Sequence, residues 1–418
     1  MRFSFAHVAD LHLDTPFSGV SLPPRLSEAL RDASLNAWDA VVTACLDRRV
    51  DVVLIAGDSY DGPSAGLRAQ VRFIAGLSRL SAAGIPAFLV FGNHDPAGGD
   101  WTLARNGWPP GVHAFGPDLE RREVRRGGEL LAVVHGISYP RREVGDNLAA
   151  LFRRSPHPAF QIGLLHANLE GNAAHASYAP CSLADLNASG LDYWALGHVH
   201  TRQTPQEHPC VVHYPGNAQG RHVNEPGARG FSIVTVDGEP GSSACRIDFV
   251  PADAWRFTQL DVPADQPDVP ALVDAVLQAA RHAARGEDGR SLVVRARLHG
   301  RSALHRDLRA PGQAGQLLVT LRDATLGDES LHFEGLTVDT RPPVDLDRLA
   351  ERDDFAGAVY RAGLDAQAAP DPWLAAPLAD LNALGLKDLN LSGLQAEAGE
   401  IAREAAALAL DAVLGGEA

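Results

Sequence analysis

The feature that most constrains this sequence is a run of five apolar residues, 87–91, that ends at Gly92 and is followed at once by Asn93, His94 and Asp95. A short continuous apolar run is typical of a parallel strand that is buried on both faces. Open α/β sheets place their sites at the carboxyl ends of such strands, and a glycine lets the chain turn there. Asn, Gly and Asp also form ordinary turns, so the motif alone leaves a turn and a site as equal alternatives.

Three β-prone segments, residues 2–9, 52–56 and 87–91, alternate with two segments of helical periodicity, 23–48 and 64–83. Strands that alternate with helices predict a parallel βαβαβ unit. Parallel strands end at the same edge of their sheet, so the residues that follow them should lie close together.

Side chains that bind metals follow each of these strands and two later ones. A β-prone run at 160–165 ends at His166, and another at 191–196 ends in a glycine followed by His198 and His200. The His-x-His pair is the most specific of these signals. In chain order the candidates are Asp10, His12, Asp58, Asn93, His94, His166, His198 and His200.

This set of donors indicates a site for two divalent cations. Carboxylate, amide and imidazole groups without thiolate suit Mn, Fe or Zn, and we expect Mn first. Seven of the residues serve as ligands in this interpretation, with Asp58 as the bridge. Two-metal sites of this kind catalyse in-line displacement at phosphorus. His94 adjoins the ligand Asn93 but exceeds the ligand count, so we expect it to be the catalytic proton donor.

Taken together, the motifs resemble the calcineurin-like metallophosphoesterases. The motif series is Asp10-x-His12, Gly57-Asp58, Gly92-Asn93-His94-Asp95, His166 and Gly197-His198-x-His200. Within that superfamily the sequence is similar to the SbcD-type DNA repair exonucleases, especially their YhaO-like branch. Residues 178–186, 192–200 and 214–222 carry this closer resemblance.

The resemblance implies a four-layer α/β/β/α sandwich followed by a capping domain. It also implies that one ion takes Asp10, His12, Asp58 and His200, and that the other takes Asp58, Asn93, His166 and His198. Archaeal and eukaryotic relatives carry a histidine shortly after the bridging aspartate, where this sequence has Asp61. Bacterial members often share that aspartate, so hydrolysis is still expected, but polarity and rate do not carry over.

We predict three domains. Residues 1–250 hold every candidate site residue and form the catalytic domain. Residues 251–345 alternate between strand and helix patterns and form a small α+β capping domain that binds substrate. Residues 346–418 are helical in composition, interrupted around Pro370 and Pro372, and form a helical region that offers an apolar face to a partner.

Two β-prone segments follow the last histidine pair, at residues 211–217 and 230–236. We expect both to be antiparallel strands. In that position they would complete a second sheet that packs on the first.

Composition narrows the classes of function. A formal net charge of −15 over 418 residues argues against a uniformly basic surface for nucleic acid, although bound cations and local arginine clusters can reverse the field at a site. No apolar run reaches membrane-spanning length, so no membrane association is expected. The four cysteines form no Cys-x-x-Cys pair, and residues 1–20 have no signal-peptide pattern, which predicts a cytoplasmic location.

The leading functional prediction is a Mn-dependent DNA exonuclease or endonuclease in DNA repair that works with an SMC-like ATPase. The first alternative keeps two-metal phosphodiester hydrolysis but changes the substrate to small nucleotides or other phosphate esters. The second is a scaffold that recruits an ATPase to DNA, which would not need seven converging ligands. A homodimer is compatible with all three.

Overall fold

The structure is a computed structural model, and it describes residues 2–15, 27, 30–62, 66–98, 107–169, 178–238, 244–369, 401–402, 405–406, 408–410 and 413. In chain order its strands are β1 (Arg2–Val8), β2 (Val52–Ala56), β3 (Ala87–Val90), β4 (Val112–Ala114), β5 (Glu120–Arg126), β6 (Glu129–Gly136), β7 (Phe160–His166), β8 (Tyr193–Gly197), β9 (Gln203–Gln206), β10 (Val211–Tyr214), β11 (Gly230–Asp237), β12 (Ala244–Pro251), β13 (Trp255–Pro263), β14 (Ser291–Arg301) and β15 (Leu331–Arg341). Its helices are α1 (Ala33–Arg48), α2 (Leu67–Ala82), α3 (Leu183–Ala188), α4 (Val269–Arg285), α5 (His305–Arg309), α6 (Gln313–Ala324), α7 (Leu346–Glu351) and α8 (Phe355–Ala368), and Leu148–Leu151 form a 3₁₀ helix.

Twelve of the strands form two six-stranded sheets, of order β12-β11-β1-β2-β3-β4 and β5-β6-β7-β8-β10-β9. In the first sheet β1, β2, β3 and β4 run parallel, as the βαβαβ pattern predicted. In the second sheet β6, β7, β8 and β10 are also parallel. Both sheets therefore have an edge at which several strands end together.

Aromatic side chains of β1 fill the space between the two sheets. The Phe3 ring lies 5.8 Å from that of Phe160 on β7, and the Phe5 ring lies 5.0 Å from that of Tyr193 on β8. Their neighbours in this core are the apolar residues of β2, β3 and β6 that face the same gap. Burial of both faces explains why these strands are continuous apolar runs.

Helices cover the outer face of each sheet. Trp38 of α1 and Phe73 of α2 have ring centroids 5.1 Å apart and share one core with Val53 and other residues of the first sheet. On the second sheet, Trp194 packs on Phe152 beside the 3₁₀ helix and on α3. The order helix, sheet, sheet, helix confirms the predicted four-layer sandwich.

One prediction about the sheets is wrong. Residues 211–217 and 230–236 are not both antiparallel strands of the second sheet, although β10 does pair antiparallel with the edge strand β9. Instead β10 lies parallel to β8 in that sheet, whereas β11 pairs antiparallel with β1 in the first. An apolar alternation indicates a strand, but its partner is chosen by packing at long range, which the local sequence does not encode.

Contacts among the described residues define two compact units. One comprises Met1–Leu260, Val276–Ala296 and Leu317–Leu336, and the other comprises Asp261–Ala275, Arg297–Gln316 and Thr337–Ala418. Strands β13, β14 and β15 form a third sheet in that order. The domain limits at residues 250 and 345 stay predictions.

The second unit contains the two C-terminal helices that the structure describes. Asp345 and Asp354 cap α7 and α8 by accepting hydrogen bonds from the amides of Arg348 and Gly357. Residues 370–400, which include Pro370 and Pro372 of the predicted helical region, lie outside the described residues. Among the described residues, no helix has both the length and the apolar character needed to cross a membrane.

Candidate metal centre

The loops that follow β1 and β2 are joined by backbone hydrogen bonds at the shared edge of the first sheet. The amide of Asp10 donates to the Gly57 carbonyl at 3.2 Å, and that of His12 donates to the Asp58 carbonyl at 3.0 Å. Asp10, His12 and Asp58 all have positive φ, at 51°, 42° and 51°. Such values are uncommon outside glycine, cost ~1–3 kcal/mol each and cluster at functional sites.

Asp10, His12 and His200 form the first group of converging donors, with one ligand atom from each within 4.8 Å of the others. Nε2 of His12 lies 3.2 Å from Nε2 of His200. His200 donates from Nδ1 to Oε1 of Glu225 at 2.7 Å, so its Nε2 carries a lone pair when the ring is neutral. Burial, followed by the charge of Arg221, lowers the pKa of His12 well below its usual value, which keeps that ring neutral as a metal ligand must be.

Asp10, Asp58 and His166 form the second group, again with ligand atoms within 4.8 Å of one another. His166 donates from Nδ1 to the Ala56 carbonyl at 2.9 Å. Its Nε2 lies 3.0 Å from Oδ1 of Asn93 and 3.3 Å from Oδ2 of Asp58. Asn93 therefore belongs to this group as well.

The arrangement around His166 fits a cation. The Nδ1 proton is given to a carbonyl, and Nε2 faces two oxygen atoms, which is favourable only when a proton or a metal cation lies between them. Burial lowers the pKa of His166, but Asp58 and Asp10 outweigh it and raise that pKa to about 9. The site thus favours positive charge, and its oxygen and imidazole donors match those of divalent transition metals.

His198 and His94, the remaining candidates, lie beside these groups. The amide of His198 donates to both carboxylate oxygens of Asp10 at 3.1 Å, and its ring centroid is 5.2 Å from that of His166. His94 forms a hydrogen-bonded ion pair from Nδ1 to Oδ1 of Asp61. All eight residues singled out from the sequence therefore meet at one edge of the sandwich.

This edge lies within a region that matches a known family. Residues 3–202 match the family model described as calcineurin-like phosphoesterase. The chain carries a calcineurin-like phosphoesterase domain. A second match, to the middle domain of metallophosphoesterase YhaO, covers residues 255–341.

Three curated proteins illustrate the similarity of the phosphoesterase domain and its surroundings. The uncharacterized metallophosphoesterase YhaO of Bacillus subtilis (strain 168) is 41% identical over 236 residues, which cover 56% of this chain and 57% of that protein. The DNA double-strand break repair protein Mre11 of Aeropyrum pernix is 31% identical over 236 residues, 53% of this chain and 56% of its own. One of the subunits of the nuclease SbcCD of Bacillus subtilis is 27% identical over 274 residues, 57% of this chain and 67% of its own. The chain thus spans between about half and two thirds of the length of these relatives.

Two carboxylates, the buried Asp95 and the half-buried Glu225, hold loops and a histidine of the candidate site in place. Asp95 accepts hydrogen bonds from the amides of Asp58, Ser59 and Gly92, at 3.1, 2.7 and 2.7 Å, and so ties the loops after β2 and β3 together. Burial tends to raise the pKa of Glu225, but its hydrogen bond from His200 helps to lower that pKa to about 2. A carboxylate that is hydrogen-bonded to a histidine, as Glu225 is to His200, fixes the tautomer and orientation of that ring.

Sequence reasoning gave no role to Asp95 and missed Glu225 altogether. Asp95 stands inside the Gly-Asn-His-Asp motif, so its position was a usable signal. Glu225 lies in the loop between β10 and β11, follows no strand and belongs to none of the quoted motifs. Only the fold brings it beside His200.

Gly92 is required for a different reason from the one the sequence indicated. It does not have the left-handed conformation that demands glycine. A Cβ at this position would instead overlap Oδ1 of Asp58 and lie 2.9 Å from Cδ2 of His166. The absence of a side chain at Gly92 therefore lets Asp58 and His166 approach the loop that follows β3.

Proposed function

We propose that the phosphoesterase domain hydrolyses phosphodiester bonds of DNA with two divalent cations. The observation that carries the proposal is the position of Asp58, which lies with Asp10 and His166 in the second group of donors and also approaches His12 of the first. Its Oδ2 lies 3.9 Å from Nε2 of His12 and 3.3 Å from Nε2 of His166. Burial tends to raise the pKa of Asp58, but His166 and His12 lower it well below its usual range, so the carboxylate is ionised and able to bridge.

The proposed ligands of the first ion are Asp10, His12, Asp58 and His200, and those of the second are Asp58, Asn93, His166 and His198. Manganese suits this mixture of carboxylate, amide and imidazole donors, with iron or zinc as alternatives. Bound there, the cations would supply Lewis-acid stabilisation of the phosphoryl oxygens. The chain itself orients two of the imidazole rings: Glu225 accepts a hydrogen bond from His200, and the Ala56 carbonyl accepts one from His166.

His94 is the proposed proton donor to the leaving oxygen. Its side chain is 29% exposed, so a substrate can reach it. Because Nδ1 is held by Asp61, Nε2 is the atom that delivers the proton. The hydrogen bond to Asp61 also raises the pKa of His94, which favours the charged form of the ring. Asp61, which departs from the pattern of archaeal and eukaryotic relatives, thus has a positioning role.

The similarity to a DNA double-strand break repair protein and to a nuclease supports DNA as the substrate. One observation favours the alternative, a phosphodiesterase for small nucleotides or other phosphate esters. Three exposed arginines of β5 are each neutralised by a carboxylate, in the pairs Arg122–Glu120, Arg125–Glu123 and Arg126–Asp51. They are therefore poor contacts for a DNA backbone, and other basic groups would have to bind it.

A partner is part of the proposal. The C-terminal helical region exposes Phe355 (73%), Leu364 (44%) and Leu408 (64%), an apolar surface suited to a protein partner such as an SMC-like ATPase. Truncation after Pro343 should abolish co-purification with such an ATPase and leave hydrolysis of small phosphodiesters intact. If the truncated protein loses all hydrolysis, the region belongs to the enzyme core and this role fails. A cytoplasmic location and a homodimer belong to the same proposal.

The test of the proposed activity is hydrolysis by protein that has been stripped of metal and reloaded with Mn, Mg or Zn. Linear duplex DNA, single-stranded DNA and bis(p-nitrophenyl) phosphate are the substrates, and Asp58→Asn is the matched inactive control. We expect Mn-dependent hydrolysis of DNA and of the chromogenic diester. Hydrolysis of the small diester alone would favour the alternative, and hydrolysis of none of them with any metal would overturn the proposal in favour of a scaffold.

A further inference from the structure

A half-buried arginine stands beside the candidate metal centre and was not among the residues predicted from the sequence. Arg221 lies in the loop between β10 and β11, and its side chain is 21% exposed. Nη1 of Arg221 lies 3.4 Å from Oδ2 of Asp61, whose Oδ1 pairs with His94 and lies 3.9 Å from Nδ1 of His12, so the guanidinium lies beside these two rings. The carboxylate of Asp61 offsets part of this positive charge, and an anion bound at the centre would offset the rest.

The contacts of the Arg221 side chain leave it free to bind such an anion. Nη1 makes one weak contact, at 3.4 Å, with Oδ2 of Asp61, whose other oxygen holds His94. Nε is buried and has no hydrogen-bond partner in the part of the chain that the structure describes. A buried N–H donor without a partner costs about 1–3 kcal/mol, so a ligand that accepts its proton gains that amount.

The backbone of Arg221 is held firmly in place. Its amide donates to Oε2 of Glu225 at 2.7 Å, and Oε1 of the same carboxylate accepts the Nδ1 proton of His200. The Asn217 side-chain amide donates to Oε2 of Glu225 at 2.9 Å as well. One carboxylate therefore fixes both a proposed metal ligand and the loop that presents the arginine.

We propose that Arg221 binds a non-bridging oxygen of the phosphoryl group that is hydrolysed at this centre. The inference rests on the proposed phosphodiesterase function and adds a substrate-binding residue to it. Guanidinium presents several N–H donors in one plane and binds phosphate oxygens well. The competing explanation is a purely structural ion pair that holds Asp61 in place for His94.

The two explanations differ in what the loss of Arg221 changes. A phosphate-binding arginine sets the affinity for phosphate and the KM of the substrate. An arginine that only positions Asp61 sets the proton transfer by His94, so its loss changes kcat and its pH profile and leaves phosphate affinity alone.

The experiment compares Mn-loaded wild type with Arg221→Ala, Arg221→Lys and Arg246→Ala. Arg246 is a suitable control because its side chain is 71% exposed and paired with Asp248 on β12. Metal content is measured by mass spectrometry, affinity for inorganic phosphate by calorimetry, and KM and kcat with bis(p-nitrophenyl) phosphate. We expect Arg221→Ala to retain its metal and to weaken phosphate binding and raise KM roughly 10- to 100-fold, the range for a hydrogen bond to a charged group. Arg221→Lys should recover part of this loss, and Arg246→Ala should match wild type.

Unchanged phosphate affinity and KM in Arg221→Ala would overturn the assignment. Loss of metal or of folding in both Arg221 variants would overturn it too, because the arginine would then be structural. If wild type hydrolyses no phosphodiester but binds phosphate in a manner that depends on Arg221, the proposed function fails and the anion site stands. If wild type hydrolyses phosphodiesters and Arg221→Ala changes neither phosphate affinity nor KM, the proposed function stands and the anion site fails.

Discussion

Nδ1 of His94 donates a hydrogen bond to Oδ1 of Asp61, in the loop that follows the proposed bridging ligand Asp58. Both side chains are about one third exposed, at 29% and 30%, whereas the neighbouring proposed ligand Asn93 is buried. The pair therefore faces the side from which a substrate would approach. Since Asp61 holds the Nδ1 proton of His94 in a hydrogen bond, the proton at Nε2 of His94 is the one available for transfer.

A double-mutant cycle tests this relationship. We expect His94→Ala to retain metal and to lose ~10²–10⁴-fold in kcat, the usual range for a positioned acid. Asp61→Asn should lose less, because it keeps a hydrogen-bond acceptor but removes the charge. The double variant should be no slower than His94→Ala, since residues that act as a unit are not additive. Losses that multiply in kcat, or loss of metal in His94→Ala, would contradict the assignment.

Metal content tests the bridging role of Asp58. Asp58→Asn should weaken both ions together because its carboxylate faces both groups of donors. His12→Ala should mainly empty one site, since His12 lies with Asp10 and His200 and is a proposed ligand of the first ion alone. Mass spectrometry of the two variants after reloading with Mn distinguishes these results. Loss of the same single ion in both would rule out the proposed division of ligands.

The proposed ligands could be placed together from the sequence because each follows an apolar strand, and the fold of parallel strands brings their ends together. His166 and the pair His198 and His200 are examples, since each comes directly after a buried run. The same reasoning found the first sheet, whose β1, β2 and β3 alternate with helices. What the local sequence specifies here is the order of the elements and the place where each one ends.

Residues whose role depends on contacts between distant loops could not be predicted. Glu225 reaches the centre from a loop of irregular structure that no periodicity marks, and Arg221 stands in the same loop, within the segment 214–222 whose resemblance gave it no role. The placement of β11 beside β1 is likewise a long-range choice. The positive φ of 99° at His198 could not be predicted from the residue type, because residues other than glycine rarely adopt such an angle.

A third prediction concerns the space around Gly92. Gly92→Ala should place a methyl group against Oδ1 of Asp58 and the His166 ring, displace both ligands and lower metal content. Overpacking of this kind costs about 1–3 kcal/mol, so the free energy of unfolding should fall as well. Gly145→Ala is the matched control, because an added Cβ there meets no atom within 4 Å and the backbone is not left-handed. Equal metal content in the two variants would show that the close approach is not needed.

The last prediction concerns the pH dependence of stability and His213, a buried histidine that is not a proposed metal ligand. Nε2 of His213 hydrogen-bonds to Oγ of Ser232 at 2.8 Å, and Nδ1 to Oγ1 of Thr204 at 2.9 Å. Burial, followed by the charge of Arg202, lowers the pKa of His213 from 6.5 to about 4. The folded protein thus takes up this proton at lower pH than the unfolded chain does.

The contribution of His213 to the free energy of unfolding is therefore complete above about pH 6.5 and is lost as the pH falls toward 4, by on the order of 3 kcal/mol in total. We expect urea denaturation of wild type at pH 7, 5.5 and 4.5 to show a steeper loss of stability than His213→Gln, which has no proton to gain. His157→Gln serves as the control, because His157 is exposed and packs in no core. Its stability should follow the wild-type curve, since this ring is exposed in the folded protein. Parallel curves for wild type and His213→Gln would instead mean that this ring is protonated in the fold as readily as in the unfolded chain.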